Sequence, residues 1–307
     1  MQLLDKYQHQ YKYYLCRIKI LLRTGVGKGI RLKNLKEKLG IPLVTRKINR
    51  EAHAKLKTGT NKDRIKYVII SYPKCGRTWL RYMISLAESH LYNVPIRNTI
   101  NAIRYTNYNL PRGGYTHGFR PEKPLGEHSF AIQKNNRISG VVFMVRSPER
   151  VIISYYYQCL YRDKNYNKSI SEFIRDKNYG IRKYIAYLEY YLPIIKESKG
   201  LIIRYEDMKT EGIHVLSKVL TYMQLKLDSD VITHIYENSS FENMKKIEVN
   251  NVFNLIWFKQ LDINEKNSRK IRTGGKDNIE EIFSDKDRVY MENVCSISYA
   301  LKELGYV

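Results

Sequence analysis

The sequence predicts an α/β fold: one domain with a central parallel sheet flanked by helices, preceded by a basic N-terminal extension. Three observations lead there. The runs "KYVIIS" (66–71), "VVFMV" (141–145) and "LIIRY" (201–205) are apolar at consecutive positions, as in strands covered on both faces. Longer helical patterns follow them at about 77–91, 149–161, 181–198 and 209–223, and 285–303 closes the chain. Strand, helix, strand, helix in this order implies a parallel sheet with right-handed crossovers. At 307 residues, 43% apolar and 27% charged, the chain is long enough for one large globular domain.

Gly25, Gly27, Gly29, Gly40 and Pro42 punctuate the extension, and "KTGTNKD" (57–63) reads as a linker. The expected division is therefore 1–63, a basic helical extension, and 64–307, the main domain. Charge follows it. Residues 1–66 hold 18 Lys/Arg against 4 Asp/Glu, which is 14 of the net +24, and the remaining +10 still favours an anionic ligand. The patch "YYLCRIKILL" is interrupted by Arg17 and Lys19, too short and too charged for a membrane span, and it lacks a signal-peptide cleavage site. It reads first as a solvated extension and second as a peripheral contact of residues 1–60 with an anionic membrane surface. Cys16, Cys75, Cys159 and Cys295 are scattered, with no zinc-clasping spacing, which points to a reduced, cytoplasmic setting and no metal. No internal repeat is found, and the 27 tyrosines read as much as compositional bias as function.

In a parallel sheet, ligands sit at the carboxyl ends of strands, so the loops after 71, 145 and 205 are where chemistry is expected. The first is "SYPKCGRTW" (71–79): a proline-fixed entrance, a lysine, a glycine permitting close backbone approach, then Thr78 at a helix start. Such amides, with Lys74 and Arg77 nearby, form an anion site. The Gly-Lys-Ser/Thr of a triphosphate loop, whose hydroxyl would hold Mg²⁺, is missing. A basic turn without ligand is the bland reading of this loop alone.

The loop resembles that of the cytosolic-type sulfotransferases, Tyr-Pro-Lys-Ser-Gly-Thr-Thr-Trp, at Tyr72, Pro73, Lys74, Gly76, Thr78 and Trp79. Four further stretches match in the family's order: "VRSPERVIISYYY" (145–157), "YEDMK" (205–209), "SSFENMKK" (239–246) and "IRTGG" (271–275), the last followed by Phe283. The resemblance covers roughly 66–284. It implies a P-loop-kinase-like fold and transfer of a sulfuryl group from 3′-phosphoadenosine 5′-phosphosulfate (PAPS) to a hydroxyl or amine, without a metal. It further implies that Lys74, Cys75, Gly76, Arg77 and Thr78 surround the phosphosulfate and that Arg146, Ser154, Arg272, Thr273 and Gly274 surround the 3′-phosphate. Trp79, Tyr205, Ser239 and Phe241 would border the adenine. Arginine's fork suits a terminal phosphate, and aromatic faces stack on a base.

Of seven histidines, His117 in "GGYTHGFRP" stands at the end of a short strand between the first loop and Arg146. The resemblance makes it the general base, with Lys74 as the catalytic cation on the bridging oxygen. The chain departs from the family pattern at Tyr115, where a lysine is usual, at Cys75 and Arg77, and at "DNIE" (277–280). No family dimer motif appears between Lys246 and Arg272, so no dimer by that route is expected. Competing readings are a basic single-stranded nucleic-acid-binding protein, a nucleotide kinase with a degenerate loop, and an inactive relative that only binds PAPS. Against the first, the densest charge lies outside the motif-bearing domain and no nucleic-acid module is present, so no nucleic-acid partner is expected. The acceptor, whether small molecule, glycan or lipid-linked, has no pattern in the sequence.

Overall fold

The computed structural model describes residues 65–100, 112–118, 125 and 139–307 except 254, 256–257, 259, 263 and 275–276. The described residues fall in a unit spanning Gly59–Val307. The extension and its expected membrane contact lie outside the described residues.

Four strands form one all-parallel sheet: β1 (Ile65–Ser71), β2 (Arg112–Thr116), β3 (Gly140–Val145) and β4 (Leu201–Arg204), in the order β2-β1-β3-β4. Every residue of β3 is buried, as its unbroken apolar run requires of a strand covered on both faces. The chain leaves β1 toward β2 and returns across it to β3. That reversal opens a crevice at the carboxyl ends of β1 and β3.

The helices that position the site follow the strands. Helix α1 (Arg77–Tyr92) leaves the loop after β1, and α2 (Ile96–Thr99) is a single turn. Helix α3 (Pro148–Tyr157) starts on Pro148, whose fixed φ suits a first helical turn, and runs into a π-helical turn, Gln158–Arg162. Next come α4 (Ile170–Arg175), which opens on a capping box between Ser169 and Glu172, and α5 (Ile181–Glu197). After β4 the chain forms α6 (Tyr205–Thr210), α7 (Gly212–Tyr222), α8 (Ser229–Asn238) and α9 (Phe241–Val249). Helices α10 (Ile279–Ile282), α11 (Asp285–Ser296) and α12 (Tyr299–Glu303) close the domain.

The expected strands and their parallel arrangement are observed; the helix expected over 285–303 is two, Asp285–Ser296 and Tyr299–Glu303, and two further differences lie nearer the site. Tyr205, read as the end of a strand, instead opens α6, because the β3–β4 ladder stops at Arg204. The helix expected over 209–223 is two helices broken at Glu211, and Gly212 lies under the Tyr236 ring, where a Cβ would come within 1.9 Å of a ring carbon.

Several tyrosines are core residues. Tyr72, Tyr184, Tyr187 and Tyr191 are fully buried beneath the first loop, with ring centroids 4.7–5.3 Å apart in successive contacts. Tyr184 has a backbone task as well. Arg146 lies one residue beyond the β3 ladder and is only 6% exposed. Its N–H donates to the Tyr184 hydroxyl at 3.2 Å, and that hydroxyl donates to the Arg146 carbonyl at 2.6 Å. One side chain thus satisfies both backbone groups where the sheet cannot. Tyr184→Phe should lower unfolding free energy by about 1–3 kcal/mol, since both groups become buried and unpaired. Denaturant titration checks this, and an unchanged midpoint would show that the hydroxyl is dispensable.

Candidate active site

The loop after β1 turns on two left-handed residues, Lys74 at φ 71° and Gly76 at φ 92°. Gly76 is required twice: its φ suits glycine, and a Cβ there would lie 2.5 Å from the Tyr205 ring. Its carbonyl accepts from the amides of Trp79 and Leu80, which starts α1 at the edge of the crevice. Arg146 locks the turn from β3. Its Nη1 donates to the Lys74 carbonyl at 2.9 Å, and its guanidinium lies 4.2 Å above the Tyr205 ring.

His117 arrives from the neighbouring strand. Thr116 pairs with Ile70 across the β1–β2 ladder, so the next residue falls beside Ser71. Its Nδ1 lies 2.8 Å from the Ser71 carbonyl, which can only accept; Nδ1 therefore carries the proton and Nε2 keeps its lone pair. Nε2 faces Arg77 Nη2 at 2.7 Å and accepts from it. The Tyr191 hydroxyl donates to the Gly118 carbonyl at 2.6 Å and holds the chain just beyond. Burial, and then the Arg77 charge, push the imidazole well below its ordinary pKa.

Every site residue assigned from the sequence except Cys75 borders one cavity of about 420 Å³, in which Lys74, Arg77 and His117 lie with Arg146, Ser154 and Arg272. Cys75 is 1% exposed in the tyrosine core, its thiol pushed up to about 12 by burial, so it has no side-chain role at the cavity wall. Trp79 is fixed by donating to the Ser239 carbonyl at 2.7 Å, and Phe241 lies against Gly274.

Two features were not legible in the sequence. Lys270 borders the cavity beside Lys74, brought there by Glu248 of α9. That fully buried carboxylate accepts from the amides of Lys270 and Ile271 at 2.5 and 2.8 Å and pairs with Arg162 of the π turn at 3.7 Å. Burial and neighbouring cations lower Lys74 to about 7 and Lys270 to about 8; Lys270, Arg162 and Arg146 act on the first, Arg162 and Arg77 on the second. The other feature is Asp277. Its carboxylate accepts from Arg272 at 2.7 Å and from the Thr273 hydroxyl at 2.7 Å, while Arg150 donates to its carbonyl at 2.5 Å. Only position supplies a signal for either: Lys270 lies two residues before Arg272, and Asp277 five after it.

Among the described residues no group of three His, Cys, Asp or Glu is placed to hold a metal ion, and no helix is long and apolar enough to cross a membrane. The arrangement is a cationic crevice with an imidazole at one end whose Nδ1–H is held by the Ser71 carbonyl.

The fold is shared with known proteins. Mouse sulfotransferase 2A6 is 24% identical over 242 residues, covering 71% of this chain and 83% of its own length. Mouse sulfotransferase 1E1 is 29% identical over 199 residues, covering 58% and 65%. The crystal structure of mouse sulfotransferase SULT7A1 complexed with PAP superimposes with a TM-score of 0.58 at 16% identity, over 81% of this chain and 89% of that one. Retinol dehydratase with androsterone and the inactive cofactor PAP gives 0.56 at 13%, over 84% and 86%. The family model of the sulfotransferase domain matches residues 64–304, so the chain belongs to the sulfotransferase family and is an enzyme of that class.

Proposed function

We propose that the cavity binds PAPS and that His117 is the general base for transfer of its sulfuryl group to a hydroxyl or amine of an acceptor. The observation that carries this is the convergence of Lys74, His117, Arg146, Ser154 and Arg272 on one cavity. The residues suit such a molecule. Arg146 Nε is buried with no hydrogen-bond partner among the described residues, as expected where an oxyanion completes the site. The cavity also provides aromatic faces at Trp79, Tyr205 and Phe241 for a base.

When bound, PAPS supplies an activated sulfuryl group on a phosphate leaving group. Lys74 and the first amides of α1 stabilise negative charge on the bridging oxygen as the bond to sulfur breaks. His117 Nε2 takes the acceptor's proton as the new oxygen–sulfur or nitrogen–sulfur bond forms in line, while Nδ1–H stays on the Ser71 carbonyl. The imidazole's lowered pKa keeps it unprotonated near neutral pH, ready to accept. Arg272, Arg146 and Ser154 hold the 3′-phosphate, with Arg272 exchanging the Asp277 carboxylate for it. A nucleic-acid-binding role is not favoured, since the concave cationic site is shaped around a small ligand.

Adenosine 3′,5′-bisphosphate (PAP) should raise the melting temperature by several degrees and AMP by less; no shift with either would remove the cofactor reading. His117→Ala should keep that shift and lose about 10²–10⁴-fold of transfer from radiolabelled PAPS, and full activity in the variant would remove the base.

Lys74 and Lys270 lose their charge in the free protein as pH rises through about 7 and 8. Bound phosphate favours the charged forms, so PAP affinity should fall from pH 7 to 9 and binding at pH 8 should take up protons. Calorimetry in buffers of different ionisation enthalpy measures the uptake, which Lys74→Met should reduce. Asp277→Asn should tighten PAP several-fold by freeing Arg272; weaker binding would mean that the carboxylate orients Arg272 instead of competing for it.

A further inference from the structure

We propose that Arg77 is the receptor for an anionic group on the acceptor, so that the acceptor class is a hydroxyl or amine carrying a carboxylate or phosphate close to the reacting atom. This rests on the reading of His117 as base and of PAPS as donor.

Arg77 is the first residue of α1, yet its side chain reaches across to β2 and ends on His117 Nε2 at 2.7 Å. Its other terminal nitrogen, Nη1, is buried and has no hydrogen-bond partner among the described residues. No carboxylate among the described residues pairs with it. The charged groups around it are of its own sign: Arg81 on α1, Lys270 on the late loop, and Lys74, which shares His117 as a neighbour. A guanidinium with a buried free donor and no counter-charge is costly, and an oxyanion from outside is the group that completes it.

The position of Arg77 says which oxyanion. Lys74 and the amides of α1 already face the phosphosulfate, whereas Arg77 sits on the one atom that must receive the acceptor's proton. Arg77 and the nucleophile therefore compete for Nε2. A neutral acceptor would have to displace the guanidinium and leave it unpaired. An anionic acceptor draws Arg77 into a charge-assisted pair and vacates Nε2 in the same movement. The pairing has a second effect. Arg77 is the neighbouring charge that most depresses the imidazole, so neutralising it makes His117 a stronger base when the acceptor is in place. Arg81, Lys74 and Lys270 remain cationic beside the pair, and the Ser71 carbonyl continues to hold Nδ1–H. Carboxylate and phosphate share this chemistry, and the acceptor's own charge becomes a condition for unmasking the base.

The test uses the full chain saturated with PAP, wild type and Arg77→Met, with matched probes that differ only in charge. These are 1-phenylethanol against mandelate, methyl glucoside against methyl glucuronide, and glycerol against glycerol 3-phosphate. In at least one pair the anionic member should bind about tenfold or more tightly to the wild type by calorimetry, and the preference should collapse in Arg77→Met. The same probe should raise the His117 titration midpoint, read by ¹H–¹⁵N NMR, in the wild type only. Which pair responds separates carboxylate from phosphate. The proposal is overturned if no pair favours its anion, if Arg77→Met keeps the preference, or if Arg77→Met loses the PAP thermal shift, since Arg77 would then serve the donor. Absence of a PAP shift in the wild type would instead remove the donor reading, so the two failures are distinct.

Discussion

The contact on which the site depends is the buried guanidinium of Arg146 against the carbonyl of Lys74. It joins the end of β3 to the left-handed turn after β1, and both partners are themselves constrained. Tyr184 satisfies Arg146's backbone groups beyond the ladder, and the Tyr205 ring supports its guanidinium from below. The same ring closes over Gly76, which leaves no room for a side chain. Lys74 thus holds a φ that a lysine seldom adopts, because its surroundings permit little else. Loosening Arg146 would release the loop, the start of α1 and the face of Tyr205 together.

Electrostatics give this frame its purpose. Lys74, Lys270 and Arg77 are half-buried at the cavity wall, their charged forms disfavoured by desolvation first and by neighbouring cations after it. Glu248 is the buried carboxylate among them, and it is committed to Arg162 and two backbone amides. Like charges held this close destabilise the protein, and an anion bound among them would relieve the repulsion. At the far end the Asp277 carboxylate pairs with the Arg272 guanidinium. The π turn after α3 fits the same logic: it brings Gln158 to the cavity and Arg162 to Glu248 within five residues.

The sequence by itself determined the parallel sheet, because runs such as "VVFMV" have no polar alternation and must be covered on both faces. It also determined most of the cavity's wall. Lys74, Gly76, Thr78 and Trp79 are neighbours in the chain, and Arg146, Tyr205 and Arg272 each fall at or just past a strand end or in a loop, where a parallel sheet gathers its ligands. Family resemblance added His117, at the end of a strand whose short glycine-rich stretch carries little periodic signal of its own.

What only the tertiary structure decided are the relations between distant residues. That Cys75 faces the core while Arg77 faces His117 depends on the left-handed turn at Lys74 and Gly76, which no propensity foretells. That Lys270, among 54 Lys and Arg, stands beside Lys74 depends on Glu248, twenty-two residues earlier, accepting its amide. That Asp277 pairs with Arg272, and that tyrosines 72, 184, 187 and 191 form a core instead of a binding surface, depends on packing between elements far apart in the chain. Local pattern reports which face of an element is apolar; which charges meet across a cavity is settled only when the elements are assembled, because the Coulomb and desolvation terms depend on distances that the sequence does not contain.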